Sequence, residues 1–181
     1  RQLMLATSVD EILDLKNKAN PNFKKITQNF NGLVRYVKTD IVREHNMDFR
    51  VKAIEQWVCV AKRCEASEDY SSLMAIHSAL KEILRPDNKL THTVFHLDPE
   101  VQVVMKKHDA LLKKPNLNKL TPYLGKLRAT IERLKVREGE AWRESAAIGA
   151  LMDEYQSHRE TLREKSITAS SPVMDLVMAT E

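Results

Sequence analysis

The chain has 181 residues, of which 43% are apolar and 30% charged, enough for one packed domain with or without an appendage. Four glycines and six prolines leave few tight turns, which argues against a strand-rich sandwich or barrel, and no run approaches the ~18 apolar residues of a membrane span. The net charge of +4 comes from 29 basic and 25 acidic residues that are interspersed, with isolated Lys-Lys pairs at 24–25, 106–107 and 113–114, so no block suited to a nucleic-acid backbone is present.

The opening RQLMLATSVDE lacks a signal-peptide core. Cys59 and Cys64 fall five apart in one predicted helix, well round the cylinder from each other, which disfavours a disulfide and points to a reducing, cytoplasmic setting. Apolar neighbours 58, 60 and 61 predict a buried, inert Cys59 thiol.

Helical periodicity recurs from end to end. Ser8 with Glu11 forms a capping box ahead of Ile12 and Leu15, and Pro21 and Asn22 break that short helix. Phe23, Ile26, Phe30, Leu33, Val34, Val37 and Ile41 step at three, four and seven, predicting a second helix closed by EHNMD. A third carries Ile54, Trp57, Val58, Ala61 and Cys64. Ser67 is the expected cap of a fourth, which holds Leu73, Ile76, Leu80, Ile83 and Leu84.

RPDNKLTHTVFHLD reads as irregular. Asp98-Pro99-Glu100 then opens a fifth helix lined by Val101, Val104, Met105 and Leu112, with proline and carboxylates suited to its first turn. Pro115 ends it. A sixth, from near Asn118 or Thr121, buries Leu120, Leu124, Leu127, Ile131 and Leu134. Residues 138–166 read as one long helix with a heptad-spaced seam of Ala141, Ile148, Tyr155 and Leu162, residues 167–181 as a linker and a short amphipathic segment. The expected architecture is all-α, an irregular helical bundle over 1–137 followed by the long helix.

Covalent chemistry has no foothold. There is no phosphate-cradling or dinucleotide glycine motif, no HExxH and no CxxC. His92 and His96 have helical ligand spacing but no convergent third ligand. No metal or cofactor is expected, and function is to be sought in binding.

In order along the chain come FNGLVRYVKTDIV, FRVKAIEQWVCVAKRCEASEDYSSLMAIHSAL, KLTHTVFHLDPEVQVVMKKHDALL and LTPYLGKLRATIERL. These resemble the catalytic domain of Ras-type guanine-nucleotide exchange factors over roughly residues 9–135. That family shows an FN-x-L-x-x-W-V helix, an R-x-x-x-I-x-x-[FW]-I-x-[IV]-A helix, a helix ending AI-x-SAL and a YxxYLxxLR-like helix. The resemblance implies an α-helical core that docks a Ras-family small GTPase, grips its switch II segment, and uses a helical hairpin to displace switch I. No transmembrane segment is expected, and the resemblance allows peripheral recruitment to a membrane through the GTPase.

In YSSLMAIHSALKEIL, Met74, His77, Ser78 and Lys81 form a stripe beside the core positions, and in the family that stripe helps receive switch II. Thr27 and Gln28 fall at contact positions of the second helix, and Leu120 where an aromatic often packs. A plain core or surface role for His77 competes with a titrating one, and simple burial competes for Met74 and Leu120. The family's P-C-[IV]-P-F-[LFM]-G stretch is expected after LRATIERL. VREGEAWRESAAIG stands there instead and does not match the hairpin. Glu140 and Glu144, at the start of that unmatched segment, are the candidate catalytic carboxylates, competing for the GTPase's lysine or magnesium site. The alternative is a module that binds a GTPase or a helical partner without ejecting nucleotide.

Overall fold

The computed structural model describes residues 7–13, 21–87, 90–113 and 122–178, and among these it is helical without strands. The helices are α1 (Val9–Leu13), α2 (Pro21–Val42), α3 (Met47–Ala66), α4 (Tyr70–Ile83), α5 (Thr91–Val94), α6 (Pro99–Leu111), α7 (Leu124–Glu138) and α8 (Ala146–Met178), with a 3-10 segment, Gly139–Glu144, between the last two. The expected all-α bundle with a long C-terminal helix is what the chain forms.

Local chemistry accounts for most helix ends. The capping box of α1 is reciprocal: the Glu11 N–H donates to Ser8 Oγ at 3.1 Å and the Ser8 N–H to Glu11 Oε2 at 2.6 Å. Pro21 opens α2 instead of only breaking the helix before it, as its fixed φ allows at a first helical position. Asn46 Oδ1 accepts from the Asp48 and Phe49 N–H groups at the start of α3. Asp98 does the same for Glu100, with Pro99 first in α6.

Three boundaries depart from expectation. The cap of α4 is Asp69, whose carboxylate accepts from the Ser72 N–H at 3.1 Å and from its hydroxyl at 2.6 Å. Ser67 instead closes α3, its hydroxyl donating to the Cys64 carbonyl. The long helix does not begin at 138: α7 runs to Glu138 and stops at Gly139, whose φ of +61° suits a residue without Cβ. A 3-10 turn follows, Ser145 Oγ accepts from the Ala147 N–H, and α8 runs from Ala146 through the stretch expected to be a linker. The irregular 85–98 segment also holds the single turn of α5.

Apolar side chains gather in two clusters. The first joins Val37 and Ile41 of α2 to α3, α4 and α6 through Ile54, Ala61, Leu73, Ile76, Leu80 and Val101. The second joins Ile12 of α1 to Leu127 and Ile131 of α7 and to Ile148, Tyr155 and Leu162 of α8. The seam of α8 thus stays buried past Tyr155, whose hydroxyl donates to the Thr7 carbonyl at 3.2 Å. Burial pushes that phenol up to about 12.

Helix α2 serves both clusters. Phe23 and Ile26 pack on the second, Leu33 and Val34 on the first. Between them Phe30 stacks on Tyr123 at 4.8 Å, while the Arg128 guanidinium lies 5.4 Å from the Phe23 ring. That pairing, 23 with 128 and 30 with 123, makes α2 and α7 antiparallel.

Arg50 locks the other end. It donates to the Glu44 carbonyl twice, at 3.0 and 2.7 Å, to the His45 carbonyl at 3.2 Å, and to the Thr93 hydroxyl at 3.1 Å. Thr93 is buried, so removing the guanidinium strands a polar group. We expect Arg50→Leu to lower unfolding free energy by about 2 kcal/mol, read as a lower urea midpoint with an unchanged slope.

Candidate functional site

Helix α4 is sequestered on most of its circumference: Tyr70, Leu73, Ala75, Ile76, His77, Ala79, Leu80 and Ile83 are all buried. Ser71, Met74 and Ser78 are half-buried and Lys81 is exposed, and these stand at positions i, i+3, i+7 and i+10. Apart from half-buried Ser72 and exposed Glu82, this narrow outward strip is the part of α4 left to a partner.

The walls of the strip follow from helix order. Tyr36 meets Trp57 edge-to-face at 5.9 Å, and the Trp57 indole N–H donates to Asp40 Oδ2 at 2.9 Å, so α2 and α3 pair as an antiparallel hairpin. A second reversal at 67–69 returns α4 parallel to α2. The Lys38–Glu82 ion pair, 2.6 Å, sets their register. Four residues back from that pair stand Val34 and Ser78, and ten back stand Gln28 and Ser72. Thr27 and Gln28, both exposed, thus come level with the first turn of α4, and the Thr27 hydroxyl donates to the Phe23 carbonyl at 3.0 Å.

The opposite wall is α6. Asp109 Oδ1 receives Lys81 Nζ at 2.6 Å and lies 3.0 Å from His77 Nε2. His77 is 3% exposed and belongs to the floor rather than to the outward strip. Behind it lies His108, fully buried, the two rings edge-to-face at 6.1 Å. His108 Nε2 sits 3.2 Å from Glu65 Oε2, and Lys107 Nζ 2.7 Å from Glu65 Oε1. A chain of side chains, Glu65–His108–His77–Asp109–Lys81, therefore runs through the body from α3 to the strip. Nδ1 of both imidazoles lacks a hydrogen-bond partner. On His108 a proton added there would be a buried donor with nothing to bond.

Charge states follow the surroundings. The Lys81 ammonium, helped by His77, holds the Asp109 carboxyl below the usual range. Burial depresses the His108 pKa more than the Glu65 carboxylate raises it. For Glu65 burial works upward, but Lys107 and His108 outweigh it and the net direction is down.

The remaining expected residues fall elsewhere. Glu140 and Glu144 are exposed on the 3-10 turn joining α7 to α8. Lys135 Nζ and the Arg143 guanidinium bracket the Trp142 ring there, at 4.1 and 5.3 Å. Leu120 lies outside the described residues. Cys59 is exposed on the outer face of α3, not buried, because its apolar neighbours 58 and 61 take the inward positions. Among the described residues no group of three or more His, Cys, Asp and Glu side chains could hold a metal ion, and no helix is long and apolar enough to cross a membrane.

A family model described as "RasGEF domain" matches residues 2–180. Ras-specific guanine nucleotide-releasing factor 1 of Homo sapiens is 30% identical over 120 residues, covering 66% of this chain and 9% of the relative. Ras-specific guanine nucleotide-releasing factor 2 of Mus musculus is 29% identical over the same length and shares. A RasGEF domain-containing serine/threonine-protein kinase X of Dictyostelium discoideum is 33% identical over 55 residues, 30% of this chain and 6% of the relative. The chain thus spans less than a tenth of the length of these curated relatives.

The family match reaches well past residue 135, so the last third lies inside the matched region. Residues 136–180 carry none of the motifs on which the resemblance rests, and that resemblance ended near residue 135. Pro122 and Leu124 are buried, and a Cβ on Gly125 would meet the Tyr123 ring at 2.4 Å.

The depressed His108 pKa means the unfolded chain takes the proton first. Its contribution to stability is complete above the ordinary imidazole pKa of about 6.5 and declines as pH falls from there toward the folded value. The depressed Glu65 and Asp109 values add a second loss below about pH 4. Thermal melts of wild type and His108→Gln between pH 7.5 and 5 check this: the variant's melting temperature is to fall less steeply across that window.

Proposed function

The chain belongs to the RasGEF domain family, and from that premise we propose that it is a guanine-nucleotide exchange factor for a Ras-superfamily small GTPase, acting by binding without covalent chemistry. The observation that carries this is the strip of α4. In a helix that is mostly buried, the outward positions Met74, Ser78 and Lys81 are those that the family resemblance assigns to switch II. Half-buried Met74 supplies an adaptable apolar floor. Ser71 and Ser78 are small enough for a partner backbone to approach. Thr27 and Gln28 extend the surface along α2, Leu120 is retained as an apolar contact, and His77 supports the strip from beneath.

Exchange is a matter of linkage. A protein that binds the nucleotide-free GTPase better than the loaded one must itself be displaced by nucleotide, to the same factor. Helix α7, the 3-10 turn and α8 stand in this proposal as the hairpin, since the two helices share a cluster through Leu127, Ile131, Ile148 and Met152 and carry exposed Glu140 and Glu144 at their junction. Those carboxylates compete for the GTPase's lysine or magnesium site. Recruitment to a membrane would follow from the GTPase's own location.

The test is release of fluorescent GDP from a panel of Ras-family GTPases. Micromolar protein accelerates release from at least one member, and absence of acceleration across the panel rejects the proposal. Met74→Ala lowers the exchange rate constant roughly tenfold, the effect of losing one well-packed contact. Glu140→Gln with Glu144→Gln lowers maximal release and, by the same linkage, weakens affinity for the nucleotide-free GTPase. Binding that is indifferent to nucleotide would select the non-ejecting module instead.

A further inference from the structure

The Lys81–Asp109–His77 arrangement has one feature that neither helix packing nor the α4 strip requires. Both of the hydrogen-bonding contacts of Asp109 fall on the same oxygen: Oδ1 takes Lys81 Nζ at 2.6 Å and His77 Nε2 at 3.0 Å. Oδ2 has no partner among the described residues. The side chain is 45% exposed, so that oxygen opens toward solvent at the edge of the strip. His77, 4% exposed as a side chain, cannot follow Asp109 outward, and so it fixes the carboxylate's position. Lys81 is 59% exposed and sits on a long stem, and can swing away at little cost. The edge of the strip therefore carries a carboxylate that is ionised, oriented and half-satisfied, beside a cation that is mobile.

We propose that Asp109 is a specificity-determining acceptor for a lysine or arginine side chain of the docked partner, and that His77 is its positioning residue. The inference rests on the proposed GTPase-docking role of the strip and adds the charge that the partner must present there. A guanidinium or ammonium donates to Oδ2, and Lys81, now beside a like charge, moves into solvent. Complementarity of this kind steers approach and fixes register more than it adds affinity. An acidic partner segment is disfavoured because it would face Asp109 at hydrogen-bond range, with only the mobile Lys81 to offset it. The charges at the other edge and at the end of α4 are paired, Lys38 of α2 with Glu82 and Arg85 with Asp87.

The experiment measures affinity of the full chain for a panel of nucleotide-stripped Ras-family GTPases. Asp109→Asn is expected to weaken binding about fivefold, as for a preoriented but half-exposed pair, and to flatten the dependence on salt. Lys81→Met, which leaves Asp109 and His77 in place, is expected to tighten binding by removing the competitor. His77→Leu weakens binding, and His77→Gln, whose amide can still donate to Oδ1, restores it with no matching order in the melting temperatures. A GTPase that binds wild type and Asp109→Asn equally overturns this inference and leaves the docking reading standing. Weaker binding by Lys81→Met overturns it too, since the partner's charge there would then be negative. Failure of wild type to bind any member overturns both.

Discussion

The structure turns on one constraint: α4 must be buried against three helices at once and still leave a strip uncovered. Its eight buried residues face α2, α3 and α6, and a helix surrounded this way cannot shift or rotate without opening the first core. A surface built on such an element is held to the precision of the core itself. The floor is polar where His77 and His108 meet, and there the imidazoles are held by Asp109 of α6 and Glu65 of α3. Removing either carboxylate would leave a buried ring nitrogen stranded, so the same side chains that join the helices also fix the edge of the strip.

Helix α2 makes the second core part of the same object. Its first half lies on the cluster of α1, α7 and α8, and its second half on the cluster of α3, α4 and α6, with the Phe30–Tyr123 stack at the change-over. A displacement at the α7–α8 junction can therefore reach the α4 strip through one rigid helix. This suits a domain proposed to grip a GTPase at one place and pry at another. Gly125, pressed beneath the Tyr123 ring, leaves no room for a side chain at the change-over.

What was legible in the sequence was local. The Ser8–Glu11 box, the Asp98-Pro99 start and the three-four-seven stripe of α2 are each set by residues within two turns of one another, and each formed as read. The fourth cap was misplaced because Ser67 and Asp69 are both good caps two residues apart. The choice between them is made where the chain turns through Glu68 at φ +56°. Gly139 was the local sign that the helix is interrupted, and the heptad spacing from Ala141 to Ile148, which runs across Ser145, was the stronger and misleading signal. The double allegiance of α2 and the meeting of His77 with His108 were not legible at all. Residues 77 and 108 are 31 apart, on helices with no common periodicity, and only the packing of α4 on α6 brings them together.

The central claim is that the outward strip of α4, between α2 and α6, is where a small GTPase sits. Methyl NMR of the full chain titrated with a nucleotide-stripped GTPase of the family addresses it directly, because Met74 lies in the strip while Met152 lies in the second core. The account predicts that the Met74 methyl signal shifts or broadens on binding while that of Met152 stays within its free position. Binding that leaves Met74 unmoved, with the perturbation gathered on the outer face of α3 around Val60, would contradict it.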